Sequence, residues 1–208
     1  MLYHFSELFA ISVGAITGVL AAEGKRVDLF GVIVLAVVTA FGGGTVRDLL
    51  LGDVPVFWLR NPQYLLTATV TAVATFVVVR YRPLPRLVLL VADAFGLALF
   101  TIVGVKKGLT FNVAPLAAVS LGVITGVAGG ILRDVLTGVI PLVFRKEIYL
   151  YATAALCGAV VFVLLARGGV GEPVLTVAGA GVTLLLRLAG IRWKLGLPMF
   201  QVNNQQNT

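Results

Sequence analysis

Seven long apolar runs divide the chain, near residues 5–22, 29–50, 64–79, 87–104, 113–134, 148–166 and 173–190, each bounded by charge, proline or glycine. One crossing of a bilayer core takes roughly 20 apolar residues in a helix, so each run is read as a transmembrane helix. The charges gather in the connections, at 23–28, 80–86, 106–107, 145–147 and 168–172, which are too short for an extramembrane domain. The expected fold class is an all-α integral membrane protein with seven transmembrane helices. Composition agrees: of 208 residues 59% are hydrophobic and 12% charged, where soluble domains carry about 25% charged residues.

The net charge of +7 fits membrane orientation rather than nucleic-acid binding, and no nucleic-acid partner is expected. With the N-terminus outside, 11 of the 16 Lys and Arg fall on the cytoplasmic side, leaving Arg47, Arg60, Lys106, Lys107 and Arg167 outside. The positive-inside rule therefore favours N-out and C-in. Trp58, Tyr64 and Trp193 flank spans, as interfacial aromatics do. Glu7 precedes the first apolar run with no basic region before it, so no cleaved signal peptide is expected. Cys157, the single cysteine, is read as a packing residue, and His4 has no partner for a transition-metal site. No structural metal and no cofactor are expected. The tail from residue 195 is polar towards its end and expected to be disordered.

The second run ends in GGGTVRDLLLGDVP (42–55), and 86 residues later the fifth ends in AGGILRDVLTGVIP (128–141). Gly14 and Gly96, and Lys25 and Lys107, recur at an offset of 82. The chain thus reads as a three-helix repeat over residues 1–82, a second over 83–168, a seventh helix with its flank over 169–194 and a tail over 195–208. A unit with an odd number of crossings enters the membrane from the opposite side when copied, so the repeats are inverted.

Glycine costs roughly 1 kcal/mol in a helix interior, so Gly42, Gly43 and Gly44, and the pair Gly129 and Gly130, need a reason. Close packing in lipid is one. The other, favoured by the duplication, is a kink or break whose freed backbone groups line a polar path near the midplane. Beside the glycines stand Arg47 with Asp48 and Arg133 with Asp134. Neighbouring residues point about 100° apart on a helix, so each aspartate is expected to find its cation on another element: across the two Arg-Asp pairs, or between an arginine and Asp93. Snorkelling of the arginines to the headgroups is the open alternative. Asp93, deep in LVLLVADAFGLALF, is too short to snorkel and must face protein or water. Arg187 is read as an anchor, and Ser12, Thr39, Thr45, Thr67 and Thr71 as hydroxyls able to line a path.

The segments FAISVGAITGVLAAEGKRVDLFG, TAFGGGTVRDLLLGDVPVFW, DAFGLALF and AGGILRDVLTG resemble the prokaryotic relatives of the trimeric intracellular cation (TRIC) channels, built from two glycine-transporter or UPF0126 domains. The resemblance covers residues 5–190. It implies a homotrimer in the cell membrane, a K⁺- or Na⁺-permeable pore in each protomer, and second and fifth helices kinked at their glycines around that pore. It also implies pore or gating roles for Gly42, Gly43, Gly44, Arg47, Asp48, Gly129, Gly130, Arg133 and Asp134; Asp93 joins them on the reading of its own position. The permeant cation would sit near the glycine breaks, and membrane lipids are the other expected contacts. A secondary transporter of a small zwitterion such as glycine uses the same parts differently and stands as the alternative. An enzyme is not expected, since no nucleophile with a base, HExxH pair or phosphate loop occurs.

Overall fold

The computed structural model of the chain describes residues 2–145 and 150–194, and side chains from residue 7 onward within them. The tail and the His4 side chain lie outside the described residues. Among these, eight α-helices form: α1 (Leu2–Ala22), α2 (Leu29–Leu51), α3 (Phe57–Arg60), α4 (Pro62–Tyr81), α5 (Arg86–Thr110), α6 (Pro115–Leu136), α7 (Ala152–Arg167) and α8 (Glu172–Trp193), with a 3-10 turn at Leu142–Phe144. Five of them, α2, α4, α5, α6 and α8, are long and apolar enough to cross a membrane, while α7 and the Glu7–Ala22 part of α1 are apolar and shorter.

Local chemistry sets the ends. Asp28 caps α2, its carboxylate accepting the Gly31 N–H at 2.8 Å, and Asn61 caps α4 ahead of Pro62. Such caps satisfy amides that the first turn leaves without helical partners. After each Arg-Asp pair the chain turns at a left-handed glycine, Gly52 at φ 67° and Gly138 at φ 68°, a conformation that side chains rarely tolerate. The sequence reading missed α3, which is too short for a periodic signal. It also stopped the fourth apolar run at 104, whereas α5 continues to Thr110 and carries Lys106 and Lys107 on its last turns.

Helices α1, α2 and α4 pack together, as do α5, α6 and α7, with α8 against α5 and α7. The two groups join through α2 on α6 and α1 on α5. Small residues make these contacts close. A Cβ on Gly43 would collide with the Thr125 carbonyl, and one on Gly129 with the Thr39 carbonyl, so α2 and α6 cross antiparallel in a reciprocal contact. Gly14 and Gly18 lie likewise against Ala40 and Ala36. Both α2 and α6 run without interruption through their glycines. Of the expected kink or break, the break is absent, and the glycines serve close approach of two continuous helices, as small residues do where lipid supplies no hydrophobic drive.

Three other expectations are corrected. Cys157 is exposed rather than packed. Trp58 is half-buried, stacks on Phe41 at 5.5 Å and donates to Thr45, and Tyr64 is buried and donates to Glu7, so both rings pack on the protein rather than standing free beside their spans. Arg187 is fully buried, because α8 turns it towards α7 rather than along the helix to the surface.

Crowding at the crossing predicts that Gly129→Val lowers stability by about 1–3 kcal/mol. Gly181→Ala on α8, where nothing lies within 4 Å of the added carbon, should raise it by up to about 1 kcal/mol. Thermal unfolding of the purified variants in detergent checks both.

Candidate functional site: a polar path between α2 and α6

The two Arg-Asp pairs adopt the same local arrangement. Arg47 Nε donates to Asp48 Oδ1 at 2.8 Å, and Asp48 Oδ2 accepts the Phe57 N–H at 2.8 Å. Arg133 Nε donates to Asp134 Oδ1 at 2.9 Å, and Asp134 Oδ2 accepts the Leu142 N–H at 2.7 Å. Each aspartate thus ties the end of its helix to the first turn of the following segment. The expectation that neighbours could not pair is overturned: the arginine stem is long enough to fold its guanidinium back although the Cα–Cβ bonds diverge. None of the four snorkels, since all are 0–4% exposed.

Further partners differ between the halves. Asp48 also receives Lys107 Nζ at 2.6 Å, and the same ammonium lies 2.5 Å from Asp53 Oδ2. Asp53 in turn binds Arg60. At the other end Arg133 Nη1 donates to Asp93 Oδ1 at 2.8 Å, which also accepts the Tyr151 hydroxyl at 3.3 Å. Asp93 thus has the arginine partner expected of it. The two Arg-Asp pairs do not meet. The antiparallel crossing sets Arg47 level with residue 121, twelve residues or roughly 18 Å along α6 from Arg133.

Between these ends, α1, α2, α5 and α6 enclose a cavity of about 20 Å³ whose lining includes Thr17, Thr39, Gly43, Asp93, Thr125, Gly129, Gly130 and Arg133. That holds about one water. Of the glycines singled out, Gly43, Gly129 and Gly130 line it, whereas Gly42 lies against Leu132 and Gly44 against the Phe57 ring. The lining hydroxyls have a common polarity. Thr17 donates to the Gly14 carbonyl at 2.8 Å, Thr39 to Leu35 at 2.6 Å and Thr125 to Leu121 at 2.6 Å. Each proton is spent on the residue's own helix, leaving oxygen lone pairs for the cavity. Asp93 Oδ2 is buried without a hydrogen-bond partner among the described residues. An oxygen-rich lining of this kind suits a small hard cation, and the Arg133 charge beside it is offset by Asp93 and Asp134.

Thr39 was singled out in the sequence; Thr17 and Thr125 were not, although the 86-residue offset maps Thr39 onto Thr125. Tyr151 carried no signal of its own. Ser12 and Thr67 donate to their own helices and lie away from the cavity. Among the described residues no three His, Cys, Asp or Glu gather as a metal site would require.

Larger cavities open at both ends. One of about 440 Å³ is lined by Asp53, Arg60, Lys106, Lys107, Thr110 and Phe111. The other, of about 480 Å³, has Lys25 above an apolar bed that includes Val34, Leu35 and Leu136.

A sequence profile described as glycine transporter matches residues 4–80 and again residues 90–167. The chain belongs to the glycine-transporter (UPF0126) family. Within it, the inner membrane protein YadS of Escherichia coli is 48% identical over 206 residues, 98% of both chains. A UPF0126 membrane protein of Vibrio cholerae is 44% identical over 201 residues, covering 96% of this chain and 83% of its own. Among solved structures, the TRIC trimeric intracellular cation channel orthologue from Rhodobacter sphaeroides superposes with a TM-score of 0.88 at 40% identity, covering 93% of this chain and 99% of that one. A second TRIC cation channel gives 0.87 at 34% identity, covering 98% and 99%. This family member is a multi-pass membrane protein with the fold of the TRIC channels.

Lys107 and Arg60 hydrogen-bond the Asp53 carboxylate and hold its pKa below the ordinary aspartate value. A depressed folded-state pKa contributes stability that is present above the unfolded value and lost as pH falls through the folded one. The melting difference between the wild type and Asp53→Asn should therefore be constant from pH 7 to 5 and shrink only below about 3.9. Melting curves of both proteins across that range check it.

Proposed function

We propose that this protein is a channel for monovalent cations, K⁺ or Na⁺, with one path in each protomer of a homotrimer. In this reading residues 1–82 and 83–168 are inverted three-helix repeats and α8 is a seventh crossing. The protein lies in the cytoplasmic membrane with its N-terminus outside. The observation that carries the proposal is the superposition on TRIC cation channels at 29–40% identity. Two features support it: the double match of the family profile and the reciprocal contact of Gly43 and Gly129 with the opposing helix.

The path would run from the cavity around Lys107, through the constriction between α2 and α6, to the cavity beside Lys25. At the constriction a cation loses most of its water and meets threonine oxygens and the Asp93 carboxylate, which replace part of the hydration shell. Neutralising each arginine with its own aspartate keeps the path from repelling the ion. In this conformation the constriction is too small for glycine, which has five non-hydrogen atoms against room for about one water. This argues for the channel over the zwitterion transporter.

Potassium efflux from liposomes tests the proposal. Wild-type protein should release K⁺, Gly43→Leu should slow the release by about tenfold or more, a barrier increase of about 1.4 kcal/mol, and added glycine should leave it unchanged. Saturable glycine uptake with no K⁺ release would instead make the protein a transporter.

A further inference from the structure

Arg187 lies on α8, outside both stretches that the family profile matches, yet it is fully buried, with its guanidinium carbon 4.7 Å above the centre of the ring of Tyr151, the residue just before α7. Tyr151, itself 5% exposed, donates its hydroxyl to Asp93 Oδ1 at 3.3 Å, the oxygen that also accepts Arg133 Nη1. Asp93 and Arg133 line the central cavity, and Tyr151 stands against Gly130 there. A chain of contacts therefore runs from α8 through Tyr151 to the carboxylate on α5 and the arginine on α6.

The first half repeats the tyrosine–carboxylate contact one turn earlier on its first helix, without a counterpart of α8. At the offset of 82, Ile11 stands where Asp93 stands in the second half, and Tyr64 donates to Glu7 on α1. A guanidinium buried at this depth is costly unless its charge is used or compensated, and among the described residues the cluster it joins holds two guanidiniums, Arg133 and Arg187, and two carboxylates, Asp93 and Asp134. We propose that Arg187 is a positioning residue of the cation path: by cation–π contact it holds the Tyr151 ring so that the hydroxyl engages Asp93 and limits the carboxylate's access to a passing cation. The helix outside the duplicated unit thereby sets how strongly Asp93 coordinates the ion. The inference rests on the channel reading.

The test is K⁺ efflux from liposomes holding Arg187→Gln, Arg187→Lys, Tyr151→Phe or the double variant Arg187→Gln/Tyr151→Phe, each first shown to elute and melt like the wild type. Arg187→Gln and Tyr151→Phe should each raise efflux by about fivefold, and the double variant should match either single, because two residues acting through one contact are not additive. Arg187→Lys, which keeps a cation over the ring, should stay within about twofold of the wild type. Efflux at or below the wild-type rate in both single variants, or effects that multiply in the double, overturns the inference. If Arg187→Gln does not fold, Tyr151→Phe at the wild-type rate overturns it alone. No efflux from the wild type or any variant removes the channel reading and this inference with it, whereas wild-type efflux indifferent to the variants removes the inference only.

Discussion

The close antiparallel crossing of α2 and α6 organises the protein. It exists because Gly43 and Gly129 let each helix rest on the other's backbone at Thr125 and Thr39. Any side chain there would push the helices apart, and in lipid the lost contact would not be recovered by hydrophobic burial. From this constraint follow the enclosure of a cavity by α1, α2, α5 and α6, the threonine oxygens on its wall, and the separation of the Arg-Asp pairs to opposite ends. The glycines act by being absent as side chains, with no interruption of the helices they stand in.

Burying charge is the second requirement, and the two halves meet it differently. Each arginine binds the aspartate beside it, and each aspartate also fastens the turn after its helix. Beyond that common element, Asp48 is shared with Lys107 at an end that opens to a wide cavity, whereas Arg133 is compensated by Asp93 inside a buried cluster with Tyr151 and Arg187. A pair of this kind is stabilising only while both members remain, because removing one leaves an uncompensated charge in a medium of low dielectric. The duplicated fold therefore balances its buried charge in two ways, with a lysine shared by Asp48 beside a wide cavity in one half and a buried carboxylate on Arg133 in the other.

Much of this was legible in the sequence because it is written in residue types that membranes punish. Apolar runs of span length, a glycine triplet with a matching pair, and an isolated Asp93 stand out against hydrocarbon, and the 86-residue offset exposes the duplication. The resemblance to TRIC channels rested on those same segments. What was not legible depends on three-dimensional direction. Whether glycines break a helix or admit a neighbour depends on what lies opposite, and Gly43 faces a carbonyl. The pairing of Arg47 with Asp48 depends on side-chain folding that the angular spacing of Cα–Cβ bonds does not describe. Arg187, Trp58 and Tyr64 carry the same composition signal as interfacial anchors, yet helix rotation turns all three inward.

The proposed function stands on a path through the crossing of α2 and α6, and silver block of engineered thiols tests that path most directly. Ag⁺ is close to K⁺ in size and binds thiolate, so it enters where K⁺ enters. In a Cys157→Ser background, K⁺ current through Thr125→Cys should be abolished by Ag⁺, while Leu116→Cys, on the exposed face of the same helix, should be unaffected. Persistent current in Thr125→Cys under Ag⁺, with the thiol shown to have reacted, would place the path elsewhere and contradict the crossing as the site of permeation.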